Sequence, residues 1–275
     1  MYLTSEIIAK LEAMGVSPKK SLGQNFLVSR LAIDKIAKAV EALGPESLIE
    51  IGPGLGSLTE AILRLQLPIK LMELDRAFAQ YWRDRNQEVI EGDAMKWDWN
   101  LLKNSEKTVL VSNLPYQISS SIVIERSVHE KYLKGMVLMF QKEVAERIMA
   151  KPKTEAYGLL SVIAQNFWKI ELVLEAGPKD FYPPPRVASR VLSFAPRSDY
   201  EGPKKEFLKV VKAGFAQRRK FLLSNLKALG GNASDKNLRL IFDQLGLSQQ
   251  VRAEELNISQ WRALTQELFS KGVQS

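Results

Sequence analysis

The sequence predicts an α/β protein: a Rossmann-like domain with a mostly parallel sheet, followed by a small all-α C-terminal domain. Three observations carry that reading. Short apolar runs alternate with stretches of helical spacing through residues 47–140, the pattern of a doubly wound sheet. A glycine-rich turn, "EIGPGLGS" (50–57), sits between an expected strand and an expected helix. Positive charge is concentrated at one end: of 39 Lys/Arg and 31 Asp/Glu, residues 204–275 hold 13 and 6, and residues 1–203 hold 26 and 25. An excess confined to one segment points to a separate module facing a polyanion.

Residues 4–14 and 30–42 have helical apolar spacing, with Ser29 placed to cap the second helix. Between them lies a basic, turn-rich connector, "SPKKSLGQNFLVS" (17–29). Strands are then expected at 47–51, 69–74, near 88–94, at 107–113 and at 135–140. Helices are expected between them at 57–65, 75–85 and 119–131. Residues 167–177 and 189–196 read as two late strands, a candidate antiparallel pair. Pro, Gly and charge in "APRSDYEGP" (195–203) mark a boundary, giving expected domains of 1–198 and 204–275. Beyond it, Phe207, Val211, Phe215, Leu222, Leu226 and Leu229 form an apolar stripe along one expected helix ended by Gly230-Gly231. Lys205, Lys209, Lys212 and Arg219 fall on another face, and two or three more helices complete a bundle.

Composition removes several classes of function. The 275 residues, 45% hydrophobic and 25% charged, are those of an ordinary globular protein. With no cysteine and a single histidine, His129, neither disulfides nor a Cys/His metal site is expected. The acidic N-terminal stretch lacks a signal core, and no apolar run approaches the ~18 residues of a membrane span. The expectation is a soluble, cytoplasmic protein.

Gly52, Gly54 and Gly56 allow a tight turn and close approach of a ligand. A dinucleotide fingerprint would place Gly at 57, where this chain has Ser. The form E-x-G-x-G-x-G suits a nucleoside without a pyrophosphate, such as S-adenosylmethionine. Glu73 ends the next strand, where a carboxylate can accept from ribose hydroxyls, and Asp93 ends the third, where it can accept from an adenine amine. Ligands of open α/β sheets bind outside the carboxyl ends of the strands, so these features converge on one crevice.

The fourth strand runs into "SNLPYQ" (112–117) at the same crevice. The 6-amino group of adenine is a poor nucleophile because its lone pair is delocalised into the ring. The Asn113 side-chain carbonyl and the Leu114 backbone carbonyl are candidate acceptors for its hydrogens. Pro115 fixes φ and stiffens the loop, and Tyr116 offers a face for a flat base. Alignment of this kind contributes to lowering a barrier without a proton-transfer residue.

In seven ordered segments the chain resembles the KsgA-type ribosomal RNA adenine dimethyltransferases. They are "PKKSLGQNFL" (18–27), "EIGPGLGSLTE" (50–60), "MELD" (72–75), "GDA" (92–94), "SNLPYQIS" (112–119), "FYPPPRVAS" (181–189) and "FAQRRKFLLSNL" (215–226). The resemblance implies two methyl transfers from S-adenosylmethionine to each of two adjacent adenines in the 3′-terminal hairpin of 16S rRNA. It implies a small-subunit precursor as partner and a monomeric enzyme. Carried over by position, cofactor contacts fall on Asn25, Leu27, Gly52, Glu73, Asp93 and Asn113, with Gly54 in the same turn. Asn113, Leu114, Pro115 and Tyr116 form the target-base site, and Phe181 resembles the aromatic on the other side of the adenine. Arg218, Arg219 and Lys220 then read as RNA-backbone contacts.

This chain departs from the family pattern at Ser112, commonly Gly, and Gln117, commonly Asn. It also departs at "SSS" (119–121), commonly Ser-Thr-Pro, and after Lys220, where Phe221 replaces a common Thr. The nearest rival is a macrolide-resistance-type 23S rRNA adenine methyltransferase, which shares the Asn-x-Pro-Tyr site. A non-catalytic assembly factor would tolerate degraded site residues, and here they are intact. A nicotinamide dehydrogenase lacks support in the glycine spacing.

Overall fold

The computed structural model describes residues 3–19, 22–129 and 133–269. In chain order the first elements are α1 (Thr4–Ala13), β1 (Phe26–Leu27), α2 (Arg30–Ala42), β2 (Ser47–Ile51), α3 (Thr59–Ile62), β3 (Ile69–Glu73), α4 (Arg76–Arg83) and β4 (Glu88–Glu91). Then come β5 (Thr108–Asn113), α5 (Ser119–Val128), β6 (Gly135–Gln141), α6 (Lys142–Ile148), α7 (Leu159–Phe167), β7 (Trp168–Ala176), β8 (Phe181–Tyr182) and β9 (Ser189–Pro196). Four α-helices come last among the described residues: α8 (Lys204–Gly214), α9 (Leu222–Leu226), α10 (Asp235–Gln244) and α11 (Ile258–Phe269).

Seven strands form the main sheet in the order β4-β3-β2-β5-β6-β9-β7. β4, β3, β2, β5 and β6 pair in parallel, and β9 runs antiparallel to β6. The chain works outward from β2 to β4, then returns to lay β5 on the other side of β2. That reversal is the switch point where such sheets bind ligands. β2 and β5 are buried on both faces, as expected of apolar runs rich in Leu, Ile and Val. Helix α2 closes one side of the core with Ile33, Ile36 and Val40, packed with Leu48, Val109 and Val137.

The structure refines several expected elements. The helix after the glycine turn begins at Thr59, not 57, and tightens to a 3-10 turn at Leu63–Leu65. The helix expected over 75–85 is α4, with Asp75 outside it as cap, its carboxylate accepting from Ala77 N at 3.0 Å. Ser29 stands at the cap position of α2, but its hydroxyl makes no capping bond. The helix expected over 119–131 is α5, which ends at Val128 with His129 outside it; positions 130–131 of that expectation lie outside the described residues. Helices α6 and α7 were not anticipated. Nor was the two-stranded sheet pairing Phe26 with Tyr182 and Leu27 with Phe181.

The chain divides into two compact units. One holds the described residues up to Arg126, with 133–145 and Lys169–Pro196; the other holds Ser127–His129, Glu146–Trp168 and the described residues from Arg197 onward. The helical unit is thus wider than 204–275, because α7 packs on α8 and α11 and so groups with them. Phe207 lies edge-on to Phe167 with ring centroids 5.8 Å apart.

Within this unit the single helix expected over 205–229 is broken. α8 stops at Gly214, and α9 starts eight residues later. A Cβ at Gly214 would sit 2.5 Å from the Trp261 ring, so that ring occupies the space a side chain would need. Asn225, buried, donates from Nδ2 to the carbonyls of Gly214 at 2.7 Å and Gln217 at 3.0 Å. It thereby satisfies carbonyls that a continuing helix would have used internally. Residues 217–220 therefore lie on a loop rather than on a helix face.

Candidate cofactor and base site

A cavity of about 280 Å³ opens in the first unit beside the carboxyl ends of β2, β3 and β5. Asn25, Leu27, Gly52, Gly54, Glu73, Asp93, Asn113 and Pro115 line it. Segments separated by up to 90 residues of chain thus converge on the switch point.

The glycine turn shapes one wall. Gly52 has φ +69 and nothing within 4 Å of an added Cβ, so its face toward the cavity stays open. Gly56 is required for another reason. At φ +90 a Cβ would lie 2.5 Å from Trp82, whose Nε1 donates to the Gly54 carbonyl at 2.9 Å. The indole of α4 thus holds the turn from behind.

Three acidic residues, Glu50, Glu73 and Asp93, stand among the amides of the polar lining. Glu73, at the end of β3, is 6% exposed and accepts from Gly54 N at 3.0 Å through Oε2 and from Asp75 N at 2.9 Å through Oε1. Burial raises its pKa against the opposing pull of these backbone donors. Asp93 accepts from Met95 N at 2.9 Å through Oδ1. Glu50 is 1% exposed, its Oε2 has no hydrogen-bond partner among the described residues, and burial pushes its pKa up to about 8 against the pull of the Thr59 hydroxyl, with Glu73 nearby adding repulsion. No Lys, Arg or His lines the cavity among the described residues. Such a wall favours a cationic or hydrogen-donating ligand over an anionic one.

The N-terminal connector forms the opposite wall. Lys19 Nζ lies 2.8 Å from Asp75 Oδ2, and Gln24 donates to the same oxygen at 3.2 Å while accepting from Lys19 N at 2.7 Å. Burial works against ionisation of Asp75, but Lys19, Ala77 N–H and Gln24 outweigh it and hold the carboxyl below its ordinary range. The connector is thereby fastened to the start of α4, and Gly23 comes against Pro115.

Asn113 closes the arrangement. Its Nδ2 donates to the Asn25 carbonyl at 2.9 Å, which fixes the orientation of the amide. Among the described residues its Oδ1 receives no hydrogen bond, so the acceptor end remains available. The Pro115 carbonyl accepts from Ile118 N, and the Tyr116 carbonyl from Ser119 Oγ at 2.9 Å, so the loop turns tightly into α5. Ser112, where the resembling family commonly has Gly, donates to the Ile51 carbonyl at 2.5 Å and ties β5 to β2 at the switch point.

Not every candidate residue lies on the cavity wall. Leu114 is buried, so only its backbone is offered, and Tyr116 is half-buried beside the lining. Phe181 is 4% exposed and packs in the core with Leu27 and Ile33. Arg218, Arg219 and Lys220 are exposed on the loop of the helical unit. The sequence reading passed over Glu50, though it is the first letter of the glycine motif, and over Asp75, the last of "MELD". A carboxylate inside an apolar strand was the available signal in the first case.

Fold and cavity together define a Rossmann-like methyltransferase domain. The family description Ribosomal RNA adenine dimethylase matches residues 15–269. A protein of Bdellovibrio bacteriovorus named Ribosomal RNA small subunit methyltransferase A is 52% identical over 255 residues, covering 92% of this chain and 93% of that protein. Its namesake in Syntrophotalea carbinolica is 40% identical over 260 residues, covering 92% and 97%. The crystal structure of a dimethyladenosine transferase from Plasmodium falciparum superposes with a TM-score of 0.75 at 27% identity, covering 90% of this chain and 98% of that one. This chain belongs to the ribosomal RNA adenine dimethylase family.

Proposed function

We propose that this chain dimethylates two adjacent adenines in the 3′-terminal hairpin of 16S rRNA, as a monomer acting on a small-subunit precursor, with S-adenosylmethionine as methyl donor. When bound, S-adenosylmethionine supplies a methyl group on a cationic sulfur. The cavity fits that group: it offers Glu73, Asp93 and the unpartnered Glu50 oxygen, an open face at Gly52, and no lining cation among the described residues. In this reading Glu73 holds the ribose hydroxyls and Asp93 the adenine amine of the cofactor. Asn25 and Leu27 close over it from the connector, and Gly52 and Gly54 allow its close approach.

The chain's own part in the transfer is positioning. Asn113 Oδ1 and the Leu114 carbonyl accept from the target amine, which draws its lone pair out of conjugation. Pro115 keeps the two acceptors in place, and Tyr116 stacks on the base. Phe181 is the second aromatic face in this proposal. The observation that carries the reading is the Asn113–Asn25 hydrogen bond, which fixes the amide while its Oδ1 receives no hydrogen bond among the described residues, next to a carboxylate-lined cavity. Arg218, Arg219 and Lys220 hold the RNA backbone, which positions the substrate without reading its sequence.

The test is labelled-methyl transfer to unmethylated small subunits, followed by primer extension on both rRNAs. Stops at two adjacent adenines near the 3′ end of 16S rRNA are expected. A stop in 23S rRNA alone would replace this reading with the macrolide-resistance type. Phe181→Leu should lower transfer and also cost some stability, since the ring is packed in the core, so transfer is compared well below the Tm of both proteins. Unchanged transfer would remove Phe181 from the base site.

A further inference from the structure

The loop between α8 and α9 presents an exposed aromatic among unpaired cations. Residues 216–221 are exposed without interruption, and Phe221 retains 43% of its accessible surface. The side chains of Arg219 and Lys220 have no hydrogen-bond or ion-pair partner among the described residues. Arg218 spends one nitrogen on the Glu155 carbonyl at 2.5 Å. An exposed phenylalanine on a loop is unremarkable by itself, but this loop is also built to hold still.

Its two ends are fastened. Asn225 Nδ2 grips the Gly214 and Gln217 carbonyls, Lys220 N donates to Gln217 O at 3.0 Å, and Leu222 N donates to Val251 O at 2.8 Å. Phe221 occupies the position before α9 with extended backbone, φ −61 and ψ 144, so its side chain leaves the loop at a defined place. A stacking platform needs these properties: a planar apolar face, low mobility of the backbone that carries it, and nearby positive charge for the adjoining phosphates.

We propose that Phe221 is a stacking platform for an unpaired nucleotide of the RNA substrate, with Arg218, Arg219 and Lys220 contacting the flanking phosphates. The occupant is RNA rather than an acidic protein surface because the cations and the single ring together match a phosphate–base repeat. The segment from 204 onward also carries 13 basic residues against 6 acidic ones. This rests on the reading of the chain as an RNA methyltransferase and deepens it. The phosphate contacts position the strand, and Phe221 selects for a base that is free of the duplex.

The experiment measures full-chain binding to the small-subunit 3′ hairpin RNA across a salt series, with a fully paired duplex of equal length as comparison. Phe221→Ala should weaken hairpin binding about tenfold, within the range known for one stacked base, and leave the salt slope and the duplex affinity unchanged. Phe221→Trp should restore it, whereas Phe221→Leu, apolar but without a ring face, should not. 2-Aminopurine placed in the hairpin loop should be quenched by the wild type and not by Phe221→Ala, at equal occupancy. Equal hairpin affinity for Phe221→Ala and wild type would overturn the proposal. So would full restoration by Leu, or an equal loss on hairpin and duplex. Loss of affinity for an acidic protein but not for RNA would assign the loop to a protein partner instead. If wild-type enzyme binds the hairpin in this way but fails to methylate small subunits, the proposed function falls and the stacking contact stands.

Discussion

The cavity of the first unit and the loop at 216–221 are opposite in chemical character. The cavity is buried and acidic, with no lining cation among the described residues, and its charges are held by fixed backbone donors or kept protonated. The loop is exposed and basic, and Arg219 and Lys220 are solvated rather than paired. A buried carboxylate discriminates finely because an unmatched ligand leaves it unsatisfied. An exposed cation attracts any polyanion and discriminates little, and salt screens it. The difference teaches where selectivity for each substrate should reside: in hydrogen-bond geometry for the small one, and in whatever accompanies the charge for the large one.

Four changes probe that contrast, from the strongest to the mildest. Asn113→Ala should reduce methyl transfer by about 10²–10³-fold, the range for loss of one aligned polar contact, while RNA binding persists. Single-turnover assays with a parallel binding titration check it, and unchanged transfer would refute the role of Asn113. Gly56→Ala should destabilise by about 1–3 kcal/mol, because the new methyl meets Trp82 and φ is +90. Denaturant melts should show a lower midpoint, and a midpoint equal to wild type would mean Trp82 yields freely.

Glu50→Gln tests the buried acid. The wild-type carboxyl titrates near 8 when folded and near 4.5 as an ordinary glutamate. Between those values the unfolded chain loses the proton that the native state keeps, so the wild-type contribution is full below pH 4.5 and declines as pH rises toward 8. Glutamine does not titrate. The Tm of the variant relative to wild type should therefore rise between pH 5 and pH 8, and a constant difference would show that Glu50 is not held protonated. Last, neutralising Arg218, Arg219 and Lys220 together should reduce the slope of log affinity against log salt by about 2, at about 0.7 per single-strand phosphate contact. An unaltered slope would mean the loop faces something other than RNA.

Much of the site was legible because its chemistry is written in short local segments. "EIGPGLGS", "MELD", "GDA" and "SNLP" each place a polar or glycine residue at the end of an apolar strand, and strand ends of a parallel sheet meet at one edge. Glu50 was harder to read, since a motif's glycines draw attention to the turn and away from the acid buried two residues before Gly52. Phe181 shows the limit on the other side. An aromatic before a polyproline turn can face a ligand or the core, and the ring is packed beneath Leu27 across a two-residue strand pair that no local pattern announces.

The sequence by itself determined the alternating sheet, the glycine turn, the acidic strand ends and the basic bias of the last quarter. All of these follow from periodicity and composition over a few neighbouring residues. Only the tertiary structure shows where α8 stops: Trp261, 47 positions away, packs where a side chain at Gly214 would lie, and Asn225 reaches back to the freed carbonyls. The helical stripe continued past Gly214 in the sequence, and nothing local forbade a longer helix. There "QRRKF" becomes a displayed loop instead of a helix face, and Asn225, held by the tertiary fold, satisfies carbonyls that a longer helix would have bonded internally.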